Sequence, residues 1–355
     1  MDRSKVNTIL LSRVDNLGDA VLLLPAAGIL KQHYPASRLL FLGQSYQREI
    51  IESCRHFDAF LDWDEVKDAP LARQADFLAD QHIDVIVHVK PRRPIATAAK
   101  IAKIPHRIGS ADRIYHFLTC NHMPIQVRRW SKLHEAQMNI RLLAPLLNRV
   151  DYAIEELEPF LGFQRFGDYP YLARQYLSTA RFNLVLHPLS LGHAKEWPVE
   201  RFLALIQLLP PEHYNILVTG TSKEGAAFRE GLLVHCEDRI KDLTGQLTVA
   251  ELVSLISQAD GLVAASTGPL HIAAAAGIHA LGLYVQKWQL HPGRYGPIGR
   301  HAHVMVYDER CPVCLADKEC DCINLITPER VFAKISEWAK LNGPLSRRAV
   351  KLCPY

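Results

Sequence analysis

Short apolar runs alternate with amphipathic stretches along the first half of the chain. The runs Thr8–Ser12, Arg38–Gly43 and Val85–Val89 predict strands, and the last is continuous enough to be buried on both faces of a sheet. Ala20–His33 has apolar residues at helical spacing and predicts a helix, as does Tyr46–Ser53. This alternation indicates an α/β fold whose parallel sheet has helices on both sides.

A second series of the same kind begins near residue 183. Its predicted strands are Asn183–His187, Tyr214–Thr219, Gly261–Ala265 and Leu281–Val285. Its predicted helices, of which the last starts with a proline that suits a first helical turn, are Val199–Leu209, Lys223–Cys236, Ala250–Ser257, His271–Ala276 and Pro328–Leu341. Two such series predict two doubly wound domains that face each other.

The boundary between the two series is predicted within Glu158–Tyr171, where aromatic residues, glycine and proline replace regular periodicity. A length of 355 residues also favours two domains, because a typical single domain has roughly 100–200 residues. We therefore predict an N-terminal domain over residues 1–165, a C-terminal domain over 166–341 and a C-terminal tail over 342–355.

Composition and terminal sequence indicate a cytoplasmic protein, in contact at most with the surface of a membrane. The hydrophobic fraction of 48% and the charged fraction of 22% are ordinary for a globular enzyme. The first apolar run is too short for the core of a signal peptide. No uninterrupted apolar run approaches the roughly 18 residues of a transmembrane helix.

The loop Arg13-Val14-Asp15-Asn16-Leu17-Gly18-Asp19 follows the first predicted strand, and ligands of open α/β sheets collect at the carboxyl ends of strands. Asp15 and Asp19 can simply cap the following helix. The alternative is that Asp19 is a general base facing the interdomain cleft. The dinucleotide fingerprint G-x-G-x-x-G is absent, which disfavours an oxidoreductase.

Two loops of the second series suit the binding of an anion. In His187–Pro198, Lys195 can neutralise a departing diphosphate, although a lone lysine in a loop is usually only solvated. The loop Ser266-Thr267-Gly268-Pro269-Leu270-His271 leads into an alanine-rich helix, whose free N–H groups and positive dipole end attract anions. A tight turn before a closely packed helix is the alternative, and the two interpretations are compatible.

Together, the three loops resemble glycosyltransferase family 9, the bacterial lipopolysaccharide heptosyltransferase family. Its Arg-x-Asp-x-x-Gly-Asp loop corresponds to Arg13–Asp19. Its Lys-x-Trp-Pro and Thr-Gly-Pro-x-His loops correspond to Lys195–Pro198 and Thr267–His271. The order and the separations of the loops also match, so the resemblance spans residues 7–341.

The resemblance implies a GT-B fold, in which two Rossmann-like domains, an N-terminal acceptor domain and a C-terminal nucleotide-sugar donor domain, face a central cleft. It implies inverting transfer without metal or cofactor, usually of heptose from ADP-heptose to an anionic lipopolysaccharide-core acceptor. Asp19 would then deprotonate the acceptor hydroxyl, and Lys195 would stabilise the leaving diphosphate. The donor-binding residues would be Ser190, Glu224, Ser266, Thr267, Gly268 and His271, and the acceptor-binding residues Arg13, Asp15, Arg92 and Arg93.

One position departs from the family pattern. Heptosyltransferases often carry aspartate immediately before the Thr-Gly pair, where it contacts the sugar, whereas this chain has Ser266. The donor therefore stays open between ADP-heptose and another nucleotide sugar. A nucleotide-sugar epimerase or hydrolase on the same double-Rossmann plan, or a non-catalytic carbohydrate-binding relative, remains as an alternative function.

Ten cations and a single acid, Asp112, lie between Lys90 and Lys132. Such a charge run is either a solvated face or an acceptor surface for an anionic glycolipid at the inner leaflet, where each nearby cation adds about 1 kcal/mol. Nucleic acid is not an expected partner, because no binding motif accompanies the cations and the net charge is only +4.

Four of the eight cysteines crowd together as Cys311, Cys314, Cys320 and Cys322. Four thiolates can hold zinc or iron in a structural site. Metal sites usually contain two well-separated Cys-x-x-Cys pairs, whereas here the gap is short and the second pair is tighter. Cysteines also recur at this place in the family, so we expect a structural loop and no metal.

Overall fold

A computed structural model describes residues 5–126, 128, 131–164, 169–190, 192, 194–231 and 236–342. The chain divides into two compact units, Met1–Phe166 and Gly167–Tyr355. Residues 343–355 of the predicted C-terminal tail lie outside the described residues. Among the helices of the described part, none has both the length and the apolar character needed to cross a membrane.

The first unit contains a parallel sheet of five strands in its described part. The strands are β1 (Thr8–Ser12), β2 (Arg38–Gly43), β3 (Ala59–Asp62), β4 (Val85–His88) and β5 (His106–Ile108). Their order across the sheet is β3-β2-β1-β4-β5, and neighbouring strands run parallel. β4 is buried along its whole length, which confirms the strand predicted there.

Helices of the first unit are α1 (Leu17–Val21), α2 (Leu24–His33), α3 (Arg48–Glu52), α4 (Leu71–Ala79), α5 (Arg93–Ile101), α6 (His116–Thr119) and α7 (Glu135–Arg141). The prediction of a single helix over Ala20–His33 is wrong, because the chain breaks between α1 and α2. Pro25 lies in the first turn of α2 and has no N–H to bond to a preceding carbonyl. The predicted helix over Tyr46–Ser53 is a short 3-10 turn that continues into α3.

The second unit contains a parallel sheet of six strands in its described part. The strands are β6 (Phe182–His187), β7 (Tyr214–Val218), β8 (Ile240–Asp242), β9 (Gly261–Ala264), β10 (His279–Tyr284) and β11 (Ala302–Val306). Their order across the sheet is β11-β10-β9-β6-β7-β8. All the pairings between these neighbours are parallel.

Helices of the second unit are α8 (Pro170–Tyr176), α9 (Val199–Leu208), α10 (Ser222–Gly231), α11 (Val249–Gln258), α12 (Gly268–Ala275), α13 (Pro292–Tyr295), α14 (Pro312–Leu315) and α15 (Pro328–Asn342). α12 begins three residues before the predicted start at His271. Thr267 is its N-cap and Pro269 lies in its first turn, where a missing N–H leaves no hydrogen bond unmade.

Each sheet has one point at which the strand order reverses, so that successive strands are added on one side of it and later strands on the other. In the first sheet it lies between β1 and β4, and in the second between β6 and β9. Loops that leave two such strands diverge to opposite faces and open a crevice at the carboxyl ends, where ligands of doubly wound sheets bind. The loops singled out from the sequence follow β1, β6 and β9, so all three lie at these points.

Candidate active-site residues

Arg13 follows β1 and is the centre of a buried charged network. Its side chain donates to Asp15 at 2.9 and 3.2 Å, to Asp19 Oδ1 at 2.6 Å and to Glu135 Oε1 at 3.1 Å. Its Nη1 donates to Asn139 Oδ1 at 3.0 Å. Burial alone would lower the pKa of Arg13, but the three carboxylates outweigh burial and raise that pKa above its ordinary value. Arg13 is only 1% exposed, so it is a fixed internal cation.

Asp19 lies in the first turn of α1 with a largely buried side chain, 16% exposed. Burial raises the pKa of this carboxyl, Arg13 opposes the rise, and repulsion from Asp15 and Glu135 adds to it. The result is a pKa of about 6 instead of the ordinary 3.8. A carboxyl with this pKa is ionised at neutral pH and more basic than an exposed aspartate, which suits a general base.

Helix capping does not explain these acids. The N-cap of α1 is Asn16, and it makes no side-chain cap bond. The contacts described for the carboxylates of Asp15 and Asp19 run to the cations Arg13 and Lys90. The alternative that Asp15 and Asp19 serve only as helix caps therefore loses its basis.

α7 supplies the part of the network that sequence reasoning missed. Glu135 and Asn139 are one helical turn apart and therefore lie on the same face of α7. Arg128 donates to the Glu135 carboxylate and, at 3.0 Å, to Asn139 Oδ1. Asn139 Nδ2 donates to the carbonyl of Leu22 at 3.1 Å, which ties α7 to the segment after α1. In the sequence, Glu135 and Asn139 stand among the apolar residues of α7, and this polar pair could have indicated a buried polar site.

The segment after β4 brings cations to the same edge of the first sheet. Lys90 Nζ lies 3.4 Å from Asp15 Oδ2. Arg92 Nη2 donates to the carbonyl of Val14 at 3.2 Å, and Arg93, which begins α5, is exposed. Lys90 and Arg92 thus lie beside the Arg13 network, and both belong to the run of cations that the sequence offers as a solvated face or an acceptor surface.

Exposed apolar side chains and an arginine lie on and around α6, which packs against α5. Ile114 and Ile125 are 87% and 94% exposed, and Phe117 and Leu118 of α6 are also exposed. Ile125 and the other three residues belong to two segments of the chain. Backbone hydrogen bonds from residues 109 and 111 to residues 122 and 124 join these segments. Together with exposed Arg113, whose Nε lies 3.9 Å from Asp112 Oδ1, these four residues form what we call the apolar–basic surface.

Buried side chains anchor the loop after β6, while its lysine, Lys195, stays near the surface. Glu196 Oε1 accepts from the backbone N and the hydroxyl of Ser190 at 2.6 and 2.7 Å. Trp197 is fully buried and donates from Nε1 to the carbonyl of Ile326 at 2.9 Å. Lys195, next to these anchors, keeps a side chain that is 34% exposed. Glu196 is a further residue that sequence reasoning missed.

The start of α12 has the features of an anion site. Thr267 is the N-cap, yet its side chain makes no cap bond. Its Oγ1 is buried and finds no hydrogen-bond partner among the described residues. The first-turn N–H groups of Gly268 and Leu270 point toward the same end of the helix, whereas the N–H of His271 donates to the Thr267 carbonyl at 3.4 Å. A buried hydroxyl of this kind is normally satisfied, so a ligand oxygen is a natural partner.

Ser266 and Glu224 both have neighbours inside the second unit. Ser266 lies close enough to the hydroxyl of buried Tyr284 to oppose the rise in the pKa of Tyr284 that burial causes, and this hydroxyl donates to the Tyr295 carbonyl at 2.7 Å. The Glu224 carboxylate accepts from the Thr221 backbone N at 2.5 Å, and Thr221 Oγ1 accepts from the Glu224 N at 3.3 Å. That reciprocal pair is a capping box at the start of α10.

Lys195 shares a cavity of about 210 Å³ with two more lysines, Lys287 and Lys318. Lys287 follows β10 and lies with its Nζ 3.1 Å from Glu319 Oε1. Lys195 Nζ is 3.7 Å from Glu319 Oε2 and 3.9 Å from Asp321 Oδ1. Lys287 and Lys318, which no sequence motif indicates, make the cavity a basic one.

Residues 77–323 match the family model of glycosyltransferase family 9 (heptosyltransferase). The chain belongs to this family. The chain is therefore a glycosyltransferase of the heptosyltransferase family, which confirms the resemblance drawn from the three loops.

Three relatives extend the comparison. A putative glycosyltransferase of Haemophilus influenzae is 25% identical over 336 residues, 92% of this chain and 95% of that protein. The ADP-heptose lps heptosyltransferase II of E. coli has a TM-score of 0.74 at 19% identity, covering 94% and 99% of the two chains. The iron-containing dodecameric glycosyltransferase TibC from enterotoxigenic E. coli has a TM-score of 0.54 at 14% identity, covering 95% and 77%.

The two parallel sheets and the likeness to solved heptosyltransferases confirm the predicted GT-B fold. The family assignment by itself names no donor, acceptor or catalytic residue in this chain. Those residue roles stay predictions.

Proposed function

We propose that this family 9 enzyme transfers heptose from ADP-heptose, or from a related nucleotide sugar, to an anionic lipopolysaccharide-core acceptor, with inversion and without a catalytic metal. The observation that carries the proposal is Asp19, a largely buried carboxyl with a pKa of about 6 in the Arg13 network. Support for the donor comes from the name of the E. coli relative, an ADP-heptose lps heptosyltransferase.

Asp19 acts as the general base in this proposal. It accepts the proton of the acceptor hydroxyl while that oxygen forms a bond to the anomeric carbon of the sugar. The bond from the anomeric carbon to the diphosphate breaks in the same displacement, so the configuration inverts and the nucleoside diphosphate leaves. Of the two oxygens of Asp19, Oδ1 is occupied by Arg13 at 2.6 Å.

Arg13 takes a different role from the acceptor contact expected from the sequence. Because it is buried and bonded to four side chains, we propose that it positions Asp19 and does not touch the acceptor. Asp15 shares this positioning role through its two contacts with Arg13. Arg92 and Arg93 keep their expected role as acceptor-facing cations, and we add Lys90 to them. Their positive charge suits an anionic acceptor.

The leaving diphosphate is stabilised by fixed positive groups. Lys195, Lys287 and Lys318 line one basic cavity, and the start of α12 adds N–H donors and the positive end of its dipole. The Thr267 hydroxyl, which has no hydrogen-bond partner among the described residues, gives a further donor. Gly268 leaves room for close approach of a phosphate to the backbone.

The other donor-site residues keep the assignments that the resemblance implies. Ser190 lines the Lys195 loop, and His271 lies in the first turns of α12. Glu224 is the candidate for the nucleoside ribose, and its cap bond to Thr221 holds it at the start of α10. Ser266 occupies the position at which heptosyltransferases often carry a sugar-contacting aspartate, and it lies close to the hydroxyl of buried Tyr284. The sugar therefore stays the least specified part of the donor.

Access to a lipid-linked acceptor is supported by the apolar–basic surface. Four exposed apolar side chains next to Arg113 match an anionic membrane surface, which offers negative headgroups above an apolar layer. We propose that the enzyme works in the cytoplasm, docks peripherally through this surface, and meets its acceptor at the inner leaflet.

The transfer itself needs no metal in this proposal. Asp19 supplies the base, and the lysine cavity with α12 supplies the charge that a divalent cation provides in other transferases. The solved relative TibC is iron-containing. Iron bound by a relative is compatible with a structural role for a metal away from the reacting atoms.

A thermal-shift screen against ADP-, GDP-, UDP- and dTDP-sugars tests the donor. ADP-heptose at 100 times its dissociation constant is expected to add about 2.7 kcal/mol of stability, and the other nucleotides less. Product analysis with and without a lipopolysaccharide-core acceptor then completes the test. Stabilisation by a different nucleotide, or release of free sugar at full rate without acceptor, would contradict the proposal.

A further inference from the structure

Four cysteines of the second unit converge on one point that the proposed transfer does not use. Cys311 is the N-cap of α14 and Cys314 lies one turn later, so both face the same side. The chain returns to them through Asp317, a non-glycine residue with a φ of 56°. The four Sγ atoms, including those of Cys320 and Cys322, all lie within 4.8 Å of one another. We call this group the four-cysteine cluster.

Two of the separations within the cluster match a tetrahedral metal site. Cys311 Sγ is 3.5 Å from Cys320 Sγ, and Cys314 Sγ is 3.8 Å from Cys322 Sγ. A metal bonded to four thiolates at about 2.3 Å separates their sulfurs by about 3.8 Å. The contacts of Cys322 with Cys320 and Cys311, at 2.8 and 3.0 Å, are too long for a disulfide of about 2.05 Å.

The burial of the cluster and its sulfur donors indicate which kind of metal ion it selects. Cys311, Cys314 and Cys322 are buried and belong to the apolar core of the second unit together with Ile323 and Ile326. Four sulfur donors in an apolar shell select a soft ion such as zinc or iron over magnesium or calcium. The spacing of the cysteines along the sequence differs from that of common metal sites. In the structure, the four Sγ atoms nevertheless lie together.

The cluster also lies beside the lysines of the basic cavity, to whose lining Cys314 and Cys320 contribute. Glu319 and Asp321 flank Cys320, and both approach Lys195 within 4 Å. Their side chains are 84% and 83% exposed, so water screens these ion pairs and they do not fix the segment by themselves. A bound ion fixes Cys320 and with it both carboxylates.

We propose that the four-cysteine cluster binds one zinc or iron(II) ion, which holds Glu319 and Asp321 beside Lys195. The ion is structural and touches no reacting atom. Its binding is independent of the proposed function, whereas the consequence for Lys195 rests on that residue serving the diphosphate.

Elemental analysis of the full chain, purified without chelator or histidine tag, tests the site. Wild type and the control Cys54→Ser, a buried cysteine of the first unit, are expected to carry about one equivalent of zinc or iron, and Cys314→Ser less than about 0.2. If Cys314→Ser does not fold, cobalt(II) added to stripped wild type is expected to give the intense absorption of a tetrahedral thiolate complex. Less than about 0.2 equivalents in wild type with no cobalt–thiolate absorption overturns the site.

Two measurements test the effect on Lys195. Amine labelling followed by mass spectrometry is expected to modify Lys195 more after the metal is stripped, while exposed Lys67 of the first unit is unchanged. The affinity for ADP is expected to fall about tenfold on stripping in wild type, and less than about twofold in the double variant Glu319→Gln/Asp321→Asn. Equal labelling before and after stripping overturns the positioning role. Wild type that carries the metal but does not bind ADP contradicts the proposed donor and leaves the metal site standing.

Discussion

Arg13 Nη2 lies 2.6 Å from Asp19 Oδ1, yet the pKa of Asp19 is raised to about 6. A single aspartate beside an arginine normally has a lowered pKa. Here one guanidinium is shared by the carboxylates of Asp15, Asp19 and Glu135, and burial makes ionisation of Asp19 still less favourable. The pair therefore holds a carboxyl in place while keeping it basic, which an isolated ion pair does not achieve.

The rate of transfer is predicted to depend on pH through Asp19. Its pKa is raised from 3.8 to about 6, so the carboxylate that accepts the proton is lost as the pH falls below 6. kcat/KM for the acceptor is expected to fall about tenfold per pH unit below that value. A pH–rate profile between pH 4.5 and 8, with ADP affinity followed in parallel, measures this. A rate that is flat from pH 7 to 5 would rule out Asp19 as the base.

Arg13→Lys is predicted to damage both stability and turnover. Lysine has three donors in place of the planar fork, so it cannot serve three carboxylates and Asn139 together. Carboxylates left unpaired in a buried site cost about 3 kcal/mol of unfolding free energy. Denaturant unfolding measures the loss. Arg141→Lys, at an exposed pair with Asp151, is the matched control and is expected to change stability by less than about 1 kcal/mol. Equal effects of the two changes would show that the network is not held by Arg13.

Thr267→Val is predicted to separate binding from folding. The Thr267 hydroxyl makes no cap bond and has no partner among the described residues, so its removal is expected to leave the melting temperature unchanged or higher. If the hydroxyl donates to a donor phosphate, the dissociation constant of ADP rises about tenfold, as one hydrogen bond to a charged group is worth about 1.5–3 kcal/mol. Calorimetric titration with ADP measures it. Wild-type affinity in a stable Thr267→Val variant would exclude the hydroxyl from the donor site.

The apolar–basic surface is predicted to bind anionic vesicles. Ile114→Ser with Phe117→Ser removes two of its exposed apolar side chains and is expected to weaken binding to vesicles containing phosphatidylglycerol at least about tenfold. Co-sedimentation measures binding, which salt is also expected to weaken because the charge of Arg113 contributes. Leu325→Ser, at an exposed apolar residue of the second unit, is the control. Unchanged vesicle binding by the double variant would assign membrane contact elsewhere or to none.

The sequence predicts the inner strands of both sheets and misses the edges. The strands not predicted are β3, β5, β8 and β11, and each lies at an edge of its sheet. Inner parallel strands are covered on both faces and show continuous apolar runs, whereas edge strands are partly exposed and short. β8, with the sequence Ile-Lys-Asp, is half-buried throughout and carries no such signal.

The candidate site loops were recognisable because their residues are close in sequence. Arg13 with Asp19 and Thr267 with Gly268 fall into this class. The partners that set their properties come from elsewhere: Glu135 and Asn139 are more than 120 residues from Arg13. Only the fold brings such residues together, so the raised pKa of Asp19 was beyond reach of the sequence.

The four-cysteine cluster shows the same limit. Its spacing in the sequence departs from that of common metal sites, and this favoured a loop without metal. The turn at Asp317 folds the short segment back on itself, so linear spacing was a poor guide to the distances between sulfurs.

Single-turnover transfer by Asp19→Asn is the most direct test of the central claim. The asparagine mimics the protonated carboxyl that burial favours, so the variant is expected to be at least as stable as wild type at pH 8. It is predicted to bind ADP as wild type does and to lose transfer at least about 100-fold, the usual contribution of a general base. Transfer within about threefold of wild type by a folded, ADP-binding variant would contradict the assignment of Asp19 as the catalytic base.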